Sequence, residues 1–109
     1  MNCNTYKFFE VMSNKSRWEI INSLYNSDKN VTNICKDIND EQSKVSHNLK
    51  ILLNCNIVFN KRNGKHIIYS LNKKTIKPIL DILENHKKCF CDKNCPYKKN
   101  VVIKNEIRK

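Results

Sequence analysis

The stretch QSKVSHNLKILL, residues 42–53, decides the fold of this chain. At 3.6 residues per turn its apolar side chains form one stripe, while short polar side chains, an imidazole and a lysine fall on the other side. Because the polar side carries no carboxylate, the pattern is typical of a helix that packs by one face and offers the other to a polyanion such as DNA. The stripe consists of Val45, Leu49, Leu52 and Leu53.

The charge of the chain changes at the start of this stretch. The formal net charge is +11 over 109 residues. Residues 1–41 contain five basic and six acidic side chains, whereas residues 42–80 contain eight basic and no acidic ones. Residues 81–109 contain eight basic and four acidic side chains. A randomly solvated surface would mix the signs, so the block favours nucleic acid over a membrane surface as the partner.

Size and composition predict one compact domain, residues 1–88, followed by a Cys- and Lys-rich tail, residues 89–109. No segment approaches the ~20 apolar residues of a membrane span, and the N-terminus lacks the apolar core of a signal peptide. We therefore expect a cytoplasmic protein whose six cysteines are thiols or metal ligands rather than disulfides.

Helical periodicity predicts three helices before residue 42. Residues 4–12 form the first, with Phe8, Phe9 and Met12 on one side. Ser13 or Asn14 can cap the second, in which Trp18 is assigned to the core. The third covers residues 31–38, with Val31, Ile34 and Ile38 facing inward.

A tight polar turn at residues 39–41, in which Asp40 or Glu41 can cap the next helix, joins the third helix to the opening stretch. Two short helices joined in this way predict a helix-turn-helix, whose second helix enters the major groove. Asn56 can end that helix in the left-handed conformation.

The residues after Asn56 predict a β-hairpin. Asn63-Gly64 lies between two β-rich runs, and Gly64, the only glycine, suits a position with positive φ. Its tip is basic, which makes the hairpin a wing. The residues expected to face inward are Ile57, Phe59, Ile67, Tyr69 and Leu71.

One more helix is predicted over residues 76–88. With Thr75 as its N-cap, Pro78 falls in the first turn, where proline is harmless. Its apolar stripe is wider than a small domain can cover, so we expect a two-fold dimer. The stripe consists of Ile76, Ile79, Leu80 and Leu83, widened by Ile82. The fold class is thus mainly α with a small β-hairpin (α+β), ordered α-α-α-α-β-β-α and homodimeric.

Three strings in this order resemble the ArsR/SmtB family of winged-helix repressors. They are MSNKSRWEIINSL (12–24), QSKVSHNLKILLNCNIV (42–58) and NGKHIIYSL (63–71). The resemblance implies a homodimer formed through the first and last helices, a palindromic operator on double-stranded DNA, and release when a metal or metalloid binds or a thiol is oxidised. The residues that it places against DNA are Gln42, Ser43, Lys44, Ser46, His47 and Lys50 on the helix, with Lys61, Arg62 and Lys65 from the wing.

The family's usual sensor residues are absent: its Cys-x-Cys positions are Asn30 and Thr32, and its last-helix zinc motif is interrupted by Leu83. What remains is His-x-x-Cys-x-Cys-x-x-x-Cys. Three thiolates suit As(III), Cd(II), Pb(II) or Cu(I), and with the histidine they form a tetrahedral Cys3His zinc set. These ligands are His86, Cys89, Cys91 and Cys95, with Cys55 and Cys3 as weaker candidates.

Other interpretations stay open. Cys89, Cys91 and Cys95 could form a thiol redox switch, or the tail could hold a structural zinc in a constitutive DNA-binding protein. Cys35 is expected to be a small buried filler. The sequence has no Cys-x-x-Cys, no cysteine paired with a motif histidine and no phosphate-binding glycine loop, so we predict that it is not an enzyme.

Overall fold

The computed structural model describes residues 4–90, which form five helices and one antiparallel hairpin. The predicted order of elements and class of fold are confirmed. The elements are α1 (Thr5–Met12), α2 (Lys15–Asn26), α3 (Val31–Ile38), α4 (Gln42–Asn54), β1 (Val58–Asn63), β2 (His66–Leu71) and α5 (Ile76–Phe90). The chain divides into two compact units, Met1–Lys77 and Pro78–Lys109. None of the helices between residues 4 and 90 is long and apolar enough to cross a bilayer.

Asparagines set several of the helix boundaries. The side chains of Asn4, Asn14 and Asn30 each accept a hydrogen bond from the backbone N–H three residues later, at the starts of α1, α2 and α3. This bond satisfies one of the unpaired N–H groups of the first turn. Asn39 and Asn56 follow α3 and α4 in the left-handed region, with φ of 56° and 55°. Asparagine tolerates this conformation better than most residues, so the predicted end of α4 is confirmed.

The core of the first unit lies where α2, α3 and α4 pack together. Ile20, Ile21 and Ile34 are fully buried, as are Val45 and Leu52 from the predicted stripe of α4. The expectation that Trp18 belongs to the core is wrong, because its side chain is only half-buried. Large indole rings are rarely enclosed completely. Val31 and Ile38, at the two ends of α3, are also only half-buried, as is Leu53 in the last turn of α4.

The hairpin turn lies one residue later than predicted. Asn63 still pairs with His66, so Gly64 and Lys65 form the two-residue turn. Gly64 has a φ of +66°, and Lys65 is not among the positive-φ residues, which is the pattern of a type II′ turn with glycine first. The hairpin contributes to the core at its base, where Val58 pairs with Leu71 and both residues are buried.

Two hairpin residues expected to face inward are exposed. Phe59 has 46% of its surface accessible and Ile67 has 38%. Phe59 follows buried Val58, so strand alternation places it on the opposite face. Ile67 pairs with Arg62 near the tip of the hairpin, far from the buried base.

The helix of the second unit is longer than predicted. It begins at Ile76, as expected, but continues through Phe90. Of its predicted stripe, Leu80 is buried, whereas Leu83 is 44% exposed and Ile82 67% exposed. Asn72 stabilises the turn before α5: its side-chain oxygen accepts hydrogen bonds from the backbone N–H groups of residues 74 and 75.

Candidate nucleic-acid interface

The second helix of the helix-turn-helix, α4, has one buried and one exposed face. Asn39 ends α3 by donating its backbone N–H to the Cys35 carbonyl, and two residues later Glu41 occupies the N-cap position of α4. Val45, Leu49 and Leu52 anchor the inner face of α4 in the core. All six residues assigned to DNA on α4 are exposed: Gln42, Ser43, Lys44, Ser46, His47 and Lys50.

Two carboxylates lie at the N-terminal end of this exposed face. The Nζ of Lys44 is 3.6 Å from Oδ2 of Asp40. The Ser43 hydroxyl donates to Oε1 of Glu41 at 3.3 Å. Glu41 occupies the N-cap position but makes no side-chain cap hydrogen bond, so the expected carboxylate cap is absent. An exposed ion pair of this kind is worth only about 0.2–1 kcal/mol, so a phosphate can replace the carboxylate as the partner of Lys44.

The wing presents a second cluster of cations. Lys61, Arg62 and Lys65 are all exposed around the turn, together with His66. None of the ion pairs found between residues 4 and 90 involves a wing residue. The cationic groups therefore point to solvent with their charge uncompensated by a nearby carboxylate, which favours an anionic partner.

A short backbone bridge holds the wing against the helix-turn-helix. The N–H of Lys29, between α2 and α3, donates to the Tyr69 carbonyl at 3.1 Å, and the Tyr69 N–H donates back at 2.8 Å. The Lys29 side chain is itself held by the Ser23 carbonyl. The direction of the wing relative to α3 is thus fixed by two main-chain hydrogen bonds and by the half-buried side chain of Lys29.

The structure describes three of the candidate metal ligands, and these three do not form one cluster. His86 and Cys89 are exposed on α5, three residues apart and so on one side of the helix. The His86 ring packs against Phe90, with centroids 5.2 Å apart. Cys55 is buried at the C-terminal end of α4. Within residues 4–90 no group of three or more His, Cys, Asp or Glu side chains could hold a metal. The other candidates, Cys91, Cys95 and Cys3, lie outside the described residues.

Cys35 has a less reactive environment than a surface thiol. Its side chain on α3 is half-buried, not fully buried as expected of a core filler. Burial raises the pKa of the Cys35 thiol, and the carboxylate of Asp40 raises it further. The thiolate, which is the nucleophilic form, is therefore disfavoured at Cys35.

The sequence analysis did not identify the residues within the protein that contact α4, namely Asp40 and Arg17. The Asp40–Lys44 pair has the i, i+4 spacing of helical ion pairs, so the sequence contained a usable signal for it. Arg17 donates to the Asn48 side chain on the inner side of α4, and no local spacing could indicate a contact between residues 31 apart.

A helix-turn-helix followed by a hairpin with a cationic tip defines a winged helix-turn-helix regulator of the DNA-binding class. The chain belongs to the arsR family of bacterial regulatory proteins, whose family profile matches residues 14–59. The expected family is thereby confirmed, and it is a family of transcriptional regulators rather than of enzymes.

Individual relatives agree with this assignment. The HTH-type transcriptional regulator NmtR of Mycobacterium tuberculosis is 36% identical over 72 residues, which cover 66% of this chain and 60% of NmtR. The solution structure of apo-NmtR superposes with a TM-score of 0.66 at 33% identity, covering 75% of this chain and 69% of that one. The transcriptional repressor SdpR of Bacillus subtilis is 27% identical over 77 residues, 71% of this chain and 86% of SdpR.

The fold also matches a more distant structure. The homodimeric winged helix-turn-helix DNA-binding domain of a Mycobacterium bovis protein has a TM-score of 0.68 at 16% identity. The similarity covers 77% of this chain and 80% of that domain. At this level of identity the likeness concerns the fold alone.

Proposed function

We propose that this protein is a homodimeric transcriptional repressor that binds a two-fold operator on double-stranded DNA through α4 and the wing. One observation carries the proposal: the acid-free block at residues 42–80 includes both the exposed face of α4 and the cationic tip of the wing. Such a surface has the sign and the shape for a major groove and its flanking phosphates. We place the repressor in the cytoplasm, with the DNA.

The side chains of this surface divide into two chemical groups. Gln42 has the amide that can bind adenine bidentately, and Ser43 and Ser46 can donate or accept at base edges. The cations are expected mainly at phosphates, since half or more of protein–DNA hydrogen bonds go to the backbone. This second group consists of Lys44, His47, Lys50, Lys61, Arg62 and Lys65.

The dimer would bury apolar side chains that each unit leaves exposed. On α1, Tyr6 is 76% exposed and Phe9 59% exposed. On α5, Ile82, Leu83 and Phe90 are exposed. Large exposed hydrophobic side chains at helical spacing favour a protein partner, and the related M. bovis domain is homodimeric.

The repressor would be released when a thiophilic metal or metalloid binds to cysteines at the end of α5. His86 and Cys89 share one side of that helix, and Cys91 and Cys95 follow in the chain. Thiolates with or without an imidazole accept As(III), Cd(II), Pb(II), Cu(I) or Zn(II). A bound ion would tie the end of α5 to the residues after it. A redox switch at the same thiols and a structural zinc are the alternatives.

Two measurements test the proposal. Reduced protein is titrated into fluorescent DNA from upstream of its own gene at several salt concentrations. Specific binding with a log–log slope of about −0.9 per neutralised phosphate supports the repressor, and a flat salt response contradicts it. Each ion is then added to the complex, with its stoichiometry measured. If the triple variant Cys89→Ser, Cys91→Ser, Cys95→Ser still responds to the ion, the sensor assignment is wrong.

A further inference from the structure

Arg17, in the first turn of α2, connects the helix before it with the recognition helix. Its Nε donates to the Val11 carbonyl at 2.8 Å. Its Nη1 donates to Oδ1 of Asn48 at 3.2 Å. Val11 lies in the last turn of α1 and Asn48 lies in the middle of α4. One guanidinium therefore contacts both helices at once.

This contact is built for precise positioning. The guanidinium is planar and its donors have fixed directions, so two hydrogen bonds define the relative placement of their acceptors. The Val11 carbonyl is among the last four of α1, which have no partner within the helix, and the negative end of the helix dipole favours a cation there. Val11 is only 4% exposed and Asn48 only 6% exposed, so water competes poorly for either bond.

The two ends of this connection carry different surfaces. The outer side of α1 exposes Tyr6 and Phe9, which the proposed dimer covers. Asn48 lies beside His47 and two residues before Lys50, both on the exposed face of α4. A rotation of α4 that released Asn48 would also turn these two side chains. The distance between the two recognition helices of a dimer thus depends on how α4 is fixed to α1.

We propose that Arg17 and Asn48 are positioning residues that fix α4 relative to α1 and thereby set the half-site spacing that the dimer accepts. The inference rests on the proposed function, because it requires a dimer in which α1 lies at the interface. It assigns to Arg17 a role in operator selection, although its side chain does not face the DNA surface.

The experiment compares operators that differ only in the separation of their half-sites. Affinity is measured for the native operator and for versions lengthened or shortened by one base pair. One base pair moves a half-site by about 3.4 Å and rotates it by about 34°, so we expect the wild-type protein to lose on the order of tenfold in affinity. In Arg17→Met and in Asn48→Leu we expect this loss, the ratio of affinity for the native operator to affinity for the altered one, to fall to about two- or threefold. The reason is that α4 can reorient in these variants.

Two comparisons separate positioning from stability. Lys15→Met removes the same charge from the same turn of α2 and should keep the wild-type loss of affinity on a change of spacing. The Lys15 side chain is 87% exposed, and its ion-pair partner within residues 4–90 is Glu19 on the same helix. The double variant Arg17→Met, Asn48→Leu should lose no more spacing preference than either single variant, since both remove one shared bond. Urea unfolding identifies any variant that does not fold. If one of the two single variants does not fold, the spacing preference of the other tests the proposal.

The outcomes are distinct. A reduced spacing preference with base preference retained supports the proposal. Equal weakening at every spacing assigns Arg17 and Asn48 to stability alone and overturns it. If the wild-type protein does not bind the operator, the proposed function itself is contradicted. The role of Arg17 and Asn48 in half-site spacing is then overturned with it, because it requires operator binding.

Discussion

The Nζ of Lys44 lies 3.6 Å from Oδ2 of Asp40, one helical turn earlier, so a cation at the exposed N-terminal end of α4 is already paired within the protein. Asp40 is also the more enclosed partner, with 19% of its side chain exposed against 53% for Lys44. The lysine is therefore the more accessible member of the pair. Under the proposed function, DNA binding would exchange the Asp40 carboxylate for a phosphate as the partner of Lys44.

Replacing Asp40 with asparagine should strengthen DNA binding. An exposed ion pair is worth about 0.2–1 kcal/mol, so Asp40→Asn should lower Kd by up to about fivefold for each protomer of the dimer. If Lys44 then neutralises a further phosphate, the log–log salt slope steepens by about 0.9 per protomer. Fluorescence anisotropy at several salt concentrations measures both quantities.

Glu19→Gln is the matched control for this change, because Glu19 pairs with Lys15 at the same i, i+4 spacing on α2. It should leave the slope unchanged. Weaker binding by Asp40→Asn would mean that Asp40 orients α4 more than it withholds Lys44.

Single alanine replacements at Lys61, Arg62 or Lys65 should weaken binding to operator and random DNA to a similar extent. These cations have no carboxylate partner among the described ion pairs, so each loses a phosphate contact without freeing an acid. The salt slope should become shallower by about one unit per contact removed. Loss of operator binding alone would instead indicate base reading by the wing.

Gly64→Ala should destabilise the protein by about 1–2 kcal/mol, because the residue has a φ of +66° and an L side chain is strained there. A β-carbon would meet nothing within 4 Å, so the loss comes from the backbone conformation rather than from a clash. Gly64→Asn should lose less, since asparagine adopts positive φ more often than most other non-glycine residues. Urea unfolding at one protein concentration measures both, and equal stability of all three proteins would contradict the assigned turn.

Cys35 should react with iodoacetamide more slowly than exposed Cys89, as read by mass spectrometry of the modified peptides. Burial and the Asp40 carboxylate both raise the pKa of the Cys35 thiol, so less thiolate is present at a given pH. Its rate should climb only at higher pH. Asp40→Asn removes one of the two causes, so Cys35 should then react faster. An unchanged Cys35 rate in that variant would show that burial alone protects the thiol.

The same raised pKa has a consequence for stability. The folded protein holds the Cys35 proton more tightly than the unfolded chain does. The tighter proton binding stabilises the folded protein. This contribution to the free energy of unfolding is present in full below the pKa of the unfolded thiol and is lost as the pH rises through the pKa of the folded thiol. Cys35→Ser should therefore flatten the alkaline part of the stability profile.

The sequence by itself determined the elements and their order. Helix starts at Asn14 and Asn30, the left-handed end at Asn56 and the glycine of the hairpin follow from interactions between residues a few positions apart. The apolar stripe of α4 follows from helical periodicity in the same way. The charge boundary at residue 42 is likewise a property of the sequence, and it marks the acid-free block that the proposed function places against DNA.

Only the tertiary structure decided which side chains are enclosed and which elements are joined. Phe59 and Ile67 fit a strand pattern, but their burial depends on whether another element covers that part of the hairpin. The bond from Arg17 to Asn48 joins residues 31 positions apart, and the bridge from Lys29 to Tyr69 joins residues that are farther apart still. Such contacts depend on how whole elements pack, since local propensity acts only over a few residues and leaves their mutual placement open.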